Sequence, residues 1–308
     1  MNAKKIFKNL FHPIESLRKA KLIMLDKHSI RYDDEKYLKK QFKLIKGYNM
    51  DFSNPKTFSE KLQWLKLNYH NPLCATLSDK ILAKEYLASI IGDCYFAKTL
   101  GVWDKYDDID FSLLPKQFVI KTNHDCGGLV ICKNKDTFNN VEAKTKIDKH
   151  LADNYYLHNR EWSYKNIKPK VFVEEFISNP DGSPLVDYKF YCFNGKPIYF
   201  MYSVGEAEHN VRNHKFDMQC NSVDHHFKKS PTLPIEEVKL PGNIDEMIKI
   251  VTKVCQNFPH VRVDLYNIDG KIYVGEMTFY TNGGYVNIID KEYDLYLGSL
   301  IPLIKYED

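Results

Sequence analysis

RVDLYNIDGKIYVGEMTFYTNGG, residues 262–284, decides how this chain is read. With His260 and Val261 before it the stretch alternates. Val261, Val263 and Leu265 fall on one face, and Arg262, Asp264 and Tyr266 on the other. Asn267-Ile268-Asp269-Gly270 supplies turn chemistry, after which KIYVGEMTFY resumes the alternation with Ile272, Val274, Glu276 and Thr278 on one side. The pattern predicts a β-hairpin. With an odd-numbered loop, or a bulge in the ladder, Asp264 and Glu276 share a face. Two adjacent carboxylates repel unless a cation lies between them. An oxygen-only donor set suits Mg²⁺, which fills its shell from water and substrate phosphates. Arg262, two residues before Asp264, is placed to grip a phosphoryl oxygen or a substrate carboxylate with its fork. The alternative on these residues alone is an ordinary hairpin with a solvated polar face, Arg262 pairing Asp264 or Glu276.

Upstream, QFVIKTNHDCGGLVICKNK (117–135) reads as strand, glycine-bearing loop and strand, with Lys121 at the end of the first strand. Loop N–H groups beside a lysine are what a polyphosphate needs for close backbone approach. The GxxxxGK[ST] spacing is absent, and strand rather than helix follows the glycines. VFVEEFI (171–177) is an apolar strand ending in Glu174 and Glu175, of the kind that walls an adenine ring. DYKFYCFNGKPIYFMY (187–202) predicts a second hairpin turning at Asn194-Gly195, with Asp187 and Lys189 on one face beside Tyr191 and Phe193.

Helices flank these strands. Thr57 or Ser59 caps FSEKLQWLKLNY, and Asp79 caps a helix that closes at Gly92. Residues 137–165 are polar and helical, and 294–303 a final packing segment. Asn243, with Glu246 three residues on, caps an amphipathic helix through Phe258. Residues 203–240 show little regular pattern. Their His209, His214, His225 and His226 match no zinc-ligand spacing.

The 308 residues suffice for one large or two modest domains, with no apolar run near the ~20 residues of a membrane helix. Seven cysteines form no CxxC pair, which fits reduced, mostly buried thiols in the cytoplasm. The net charge of +4 is uneven: residues 1–50 hold thirteen Lys/Arg against five Asp/Glu. This leader, with Ile6, Phe7, Leu10 and Phe11, reads either as a solvated helical arm or as a peripheral contact with an anionic membrane. No base-reading motif accompanies the charge, so nucleic acid is not an expected partner.

The order of these blocks (KTFSEKLQWLKL, DK, TLGVWD, FVIKTNHDCGG, REW, DYKFYCFNG, FPHVRVDLY, GEMTFY) resembles the ATP-grasp superfamily, and within it the teichuronopeptide-biosynthesis type. The resemblance runs from about Lys56 to the C-terminus. It implies an α+β fold with two subdomains clasping a nucleotide. The expected organisation is a basic helical arm (1–55), a helical lead-in (56–110), a lid subdomain (111–175) and a C-terminal subdomain with the metal site (176–308). It also implies ATP and Mg²⁺ as cofactors. Lys121 and Lys189 would contact the phosphates, and the loop with His124, Gly127 and Gly128 would close over them. Glu174, Glu175, Phe176 and Ile177 would border the adenine, and Asp187 would approach the ribose. Asp264 and Glu276 would hold Mg²⁺ with Thr278, which stands where many family members have Asn. Arg262 would steady the transferred phosphoryl group. Arg160, His209, Arg212, Asn282 and Gly283 are the expected substrate contacts.

The activity so implied is phosphorylation of a carboxylate by ATP and capture of the acyl phosphate by an amine. The carboxylate would be a hexuronic acid of a bacterial capsular or cell-wall polysaccharide, and the amine an amino acid or amino sugar. The competing reading is a sugar-nucleotide-dependent glycosyltransferase, whose DxD signature is not found at a convincing strand end.

Overall fold

The computed structural model describes residues 13–205, 210–227 and 232–306. It opens with α1 (Pro13–Lys27) and α2 (Asp34–Lys46). Helix α2 starts where Asp33 accepts from the Lys36 N–H, and stops at Gly47, whose φ of 87° needs no Cβ. The leader residues Ile6, Phe7, Leu10 and Phe11 lie outside the described residues. Among the described residues no helix is long and apolar enough to cross a membrane.

Helix α3 (Phe58–Asn68) begins with a capping box. Thr57 accepts from the Glu60 N–H, while Glu60 accepts from the Thr57 N–H. After α4 (Pro72–Ser78), Asp79 caps α5 (Lys80–Ile91) by accepting from the Ile81 and Leu82 N–H groups.

Strands β1 (Thr99–Trp103), β2 (Phe118–Thr122), β3 (Leu129–Cys132) and β4 (Val171–Glu175) form an antiparallel sheet in the order β1-β4-β2-β3. Strand β1 lies within the stretch expected as a lead-in, yet it pairs with β4, so this sheet starts before residue 111. One face buries Phe118, Ile120, Val171 and Val173 against Ala143 and Ile147 of α6 (Asn140–Leu151). Strand alternation leaves Val119, Lys121, Phe172 and Glu174 on the other. Beyond α6 the short α7 (Tyr156–Asn159) leads into the chain that returns to β4.

The second sheet is also antiparallel. It comprises β5 (Asp187–Phe193), β6 (Lys196–Val204), β7 (Arg212–Asp217), β8 (His260–Ile268) and β9 (Lys271–Thr278), in the order β7-β6-β5-β8-β9. Asn194 and Gly195 (φ 48° and 73°) make the two-residue turn between β5 and β6. Phe190, Phe200, Val261, Val263 and Leu265 bury one face under α8 (Ile244–Val254), through Met247, Ile250 and Val251.

Strand β7 corrects the expectation of an irregular 203–240 segment. RNHKFD carries polar residues on both faces, so no alternation shows. Its His214 instead bonds the Leu233 carbonyl and the Ser222 hydroxyl, and Lys215 pairs with Asp224. Asn243 corrects another. Its side chain does not cap α8 but donates to the Gly270 carbonyl and accepts from Asn267, fastening the helix to the β8–β9 turn. The final helix is α9 (Lys291–Ser299). All seven cysteines are free, with Cys94 and Cys126 exposed.

Candidate active site

The decisive hairpin turns on Asp269-Gly270 (φ 49° and 84°), with Ile268 facing Lys271. An unbroken ladder would then set Asp264 against Gly275 and turn Glu276 to the core. Instead the register shifts: Leu265 faces Val274, Asp264 faces Glu276, and Gly275 is the extra residue of a bulge. That one residue puts Arg262, Asp264, Glu276 and Thr278 on a single face. Strand β5 widens it, for Lys189 faces Asp264, Tyr191 faces Arg262 and Asp187 faces Tyr266.

A charge network covers this face. Arg262 donates from Nε to Asp264 Oδ1 at 2.6 Å, and from Nη2 to Asp264 Oδ2 at 2.7 Å and Glu276 Oε1 at 2.8 Å. Its Nη1 reaches the Thr281 hydroxyl at 3.2 Å. Lys189 Nζ lies 3.3 Å from Asp264 and 3.5 Å from Asp187, and the Thr278 hydroxyl donates to Glu276 at 3.1 Å. The ion pairs of an ordinary hairpin are therefore present, but Arg262 and Asp264 are buried rather than solvated. Burial pushes the Asp264 carboxyl up; Arg262 and Lys189 outweigh it and hold the group below the usual carboxylate range.

The first sheet supplies the opposite wall of a cleft of about 730 Å³, measured to its open mouth, with α5 at its side. Lys121, Phe172, Glu174 and Ile177 line it on one side, Tyr266, Gly275, Glu276 and Met277 on the other. Glu174 stands between two ammonium groups, Lys121 at 2.6 Å and Lys84 at 3.1 Å. Burial raises its carboxyl, yet the two lysines overcome this and leave it lowered.

Lys84 also bonds the Thr99 hydroxyl and the Ala97 carbonyl, and Lys80 bonds the Asp125 carbonyl. Sequence reading missed both lysines. The only signal for them was their i, i+4 spacing on a helix that begins at Asp79.

The glycine loop is held rather than free. Asp125 joins the Thr122 hydroxyl to the His150 ring, and Asn123 bonds Asp79 and the Lys170 N–H. Gly127 has φ 103°, and a Cβ on Gly128 would fall 1.7 Å from Thr122 Oγ1, so glycine is required here. His124 is buried and does not line the cleft.

Other expected residues disperse. Glu175 accepts from the Lys98 N–H, and neither it nor Phe176 lines the cleft. Arg160 turns away: it is 2% exposed, paired with Asp34 and bonded to the Ser29 and Leu157 carbonyls, with no surface left for a substrate. Arg212 pairs with Glu237 and, by strand parity, lies on the reverse face of the sheet from Lys189. His209 is outside the described residues. Asn282 and Gly283 form a left-handed turn beside the network, where Gly283 is fastened through its carbonyl to Lys66 at 2.7 Å.

A model of the TupA-like ATPgrasp family matches residues 60–302. The chain belongs to that family. The solved structures it resembles include D-alanine–D-alanine ligase from Bacillus anthracis complexed with ATP, at 15% identity over 79% of this chain and 62% of that one, TM-score 0.38. Another is N5-carboxyaminoimidazole synthetase from Staphylococcus aureus complexed with ADP, at 13% identity over 89% and 58%, TM-score 0.40. A third is the ATP-grasp ligase PsnB with a phosphomimetic variant of its minimal precursor, Mg and ADP, at 13% identity over 79% and 66%, TM-score 0.41. The chain spans about three fifths of the length of the first of these. No curated protein matches it.

An ATP-grasp chain implies a nucleotide and Mg²⁺, and the donor set fits the metal. A single Arg262 nitrogen already touches one oxygen of Asp264 and one of Glu276, so both carboxylates converge on one cation-sized position, with the Thr278 hydroxyl alongside. Among the described residues no group of three or more His, Cys, Asp or Glu gathers for a metal. Two carboxylates with the remaining positions left to phosphate and water are the arrangement a hard, reluctantly dehydrated cation uses.

Proposed function

We propose that this ATP-grasp chain is an ATP-dependent carboxylate–amine ligase working through an acyl phosphate. It joins a hexuronic acid of a bacterial capsular or cell-wall polysaccharide to an amino acid or amino sugar. The observation that carries the ligase reading is the bulge at Gly275, which sets Glu276, a residue lining the cleft together with Lys121, opposite Asp264. The hexuronic acid rests on the teichuronopeptide-type resemblance. Because ATP is consumed we place the work in the cytoplasm, and the basic leader reads either as a solvated arm or as a contact with the inner membrane face.

In this reading Phe172, Ile177 and Leu87 enclose the adenine, while Lys121, freed from Glu174, and Lys189 hold phosphate oxygens. Asp264 and Glu276 would hold Mg²⁺, which would supply charge neutralisation on the triphosphate. Arg262 would turn its Nη2 from Glu276 and Asp264 onto the γ-phosphoryl oxygens, with its Nε held by Asp264 and its Nη1 by Thr281. The chain performs no covalent chemistry of its own. It positions the carboxylate oxygen in line with the phosphorus and offsets the developing charge.

The test is hydroxamate formation from Mg-ATP, hydroxylamine and a panel of uronic-acid oligosaccharides and amino acids. A hydroxamate identifies the activated carboxylate. Neither hydroxamate nor ADP, together with thermal stabilisation by a UDP-sugar, refutes the ligase in favour of a glycosyltransferase.

A further inference from the structure

Glu161 is a buried carboxylate for which the scheme above has no use. Arg160 takes a left-handed backbone (φ 55°) and buries its side chain against Asp34, and the next residue, Glu161, is buried as well, only 4% exposed. Three elements enclose it. The segment it belongs to continues to Tyr164, which lines the cleft, and to Ser163, bonded to Ser78 on the same wall. The 281–284 turn, which begins three residues after Thr278, packs on Asn159, and a Cβ on Gly283 would meet that amide at 3.0 Å. Helix α3 brings Lys66.

Lys66 does not neutralise Glu161 by direct pairing. Its Nζ bonds Gln63 Oε1 at 2.9 Å and the Gly283 carbonyl at 2.7 Å. Among the described residues no cation lies in ion-pair contact with Glu161, and the Asn159 amide favours its charged form. Burial pushes the Glu161 carboxyl up and the Lys66 ammonium down; the charge of Lys66, then the Asn159 amide and Arg262, favour the Glu161 carboxylate without an ion-pair contact, and Glu276 opposes it. A buried carboxylate lacking a paired cation is expensive to maintain, which argues for a cation that arrives from outside. The network side toward Lys121 and Glu174 belongs to the nucleotide. The side toward Thr281 and Glu161 is left for whatever meets the activated carboxylate.

We propose that Glu161 is the seat of the incoming amine, binding it as an ammonium and taking its proton. This rests on the ligase reading and names the nucleophile of that site as an amine that is cationic at neutral pH. One ammonium proton passes to the Glu161 carboxylate. The nitrogen lone pair then forms the C–N bond to the acyl carbon. The bond from that carbon to the phosphate oxygen breaks, its electron pair leaving with phosphate, and the second N–H proton goes to the departing phosphate. Lys66 and Gln63 hold the 281–284 turn that flanks this segment.

Hydroxylamine separates this role from a structural one, because it is uncharged near neutral pH and needs neither an anionic seat nor a base. Wild type, Glu161→Gln and Glu161→Asp are compared at pH 7.5 with Mg-ATP and whichever of D-glucuronate and L-glutamate releases ADP. The amine is hydroxylamine, or the ammonium probes methylamine, glycinamide and D-glucosamine. The expected result for Glu161→Gln is hydroxamate formation within about 3-fold of wild type, with amide formation at least 100-fold lower and a raised KM for the ammonium amine. Glu161→Asp, charged but shorter, should recover part of that loss. Parallel loss of hydroxamate and amide in both variants, or no loss in either, overturns the proposal. Should wild type release ADP with no carboxylate and form no hydroxamate, the ligase reading fails and this proposal with it. That outcome is recognisable because it precedes any mutation.

Discussion

Replacing Glu174 with Gln would test the charge balance of the nucleotide wall. The carboxylate is 11% exposed and holds Lys121 at 2.6 Å and Lys84 at 3.1 Å. Charge-assisted hydrogen bonds contribute about 1.5–3 kcal/mol each. The amide oxygen of Gln keeps one weaker neutral bond, and Lys121, a third exposed, can move its charge toward solvent. Lys84 cannot easily follow, being tied to the Ala97 carbonyl and the Thr99 hydroxyl. Two like charges at an effective dielectric of about 20 repel by about 4 kcal/mol at ~4 Å before relaxation, and by less at wider spacing. A net loss of about 3 kcal/mol follows, the lower end of what breaking a buried pair costs. For a chain of this size that lowers Tm by about 5–10 °C.

The pH dependence is the sharper half. Because the folded carboxyl of Glu174 is depressed, its contribution is complete above the unfolded value and disappears as pH falls through the folded one. The wild-type advantage over Glu174→Gln should therefore be full at pH 7.5 and shrink below about pH 4. Urea unfolding of both proteins between those limits measures it. Mg-ATP should restore more stability to the variant than to wild type, since the triphosphate replaces the missing anion. A difference under about 1 kcal/mol at pH 7.5, or one that persists unchanged into acid, would refute the reasoning.

Glu276→Gln and Lys121→Ala should each abolish Mg-ATP-dependent turnover, with far-UV circular dichroism unchanged; wild-type-like ADP release in either removes that residue from the site. Arg262→Lys replaces a fork that joins two carboxylates by a point charge, and should lower kcat/KM at least 100-fold, read by initial rates. Gly128→Ala should destabilise by more than about 2 kcal/mol in urea melts, because its Cβ would overlap Thr122 Oγ1, whereas Gly182→Ala meets no atom and carries only its backbone strain (φ 74°), about 1 kcal/mol. Arg160→Met should lower stability by about 3 kcal/mol while leaving the KM for ATP unchanged, since Arg160 clamps Asp34 and the Ser29 carbonyl rather than a substrate.

The hairpin was legible because alternation and turn chemistry are local. Val261, Val263 and Leu265 had to share a face, and Asp269-Gly270 had to turn. The parity of its second strand was not legible. Whether Glu276 joins Asp264 or drops into the core depends on a single unpaired residue, and Gly275 announces a bulge only as one of several readings of a glycine in a strand. Strand β7 escaped for a related reason. Its buried polar residues are satisfied by Leu233, Ser222 and Asp224, all distant from the strand itself, so burial left no hydrophobic trace.

Site residues divide along the same line. Lys121 and Asp264 sit on strands whose periodicity fixes where they point, and Glu276 joins them through the bulge at Gly275. Lys80, Lys84, Lys66 and Glu161 sit on helices or irregular backbone, where a charged residue reads as solvated until a partner across the fold is known. Arg160 and Glu161 show the limit most clearly. The REW motif was expected to offer Arg160 to a substrate, whereas the structure buries Arg160 among protein partners and, among the described residues, leaves its neighbour Glu161 without an ion pair. Asn and Asp adopt the left-handed backbone of Arg160 readily and Arg does not. What holds Arg160 there is its buried set of bonds to Asp34, Ser29 and Leu157, which are contacts of the arm rather than of the motif. Through Asp34 and Ser29 the described N-terminal residues thereby fasten the segment that carries Glu161 while lining no part of the cleft themselves.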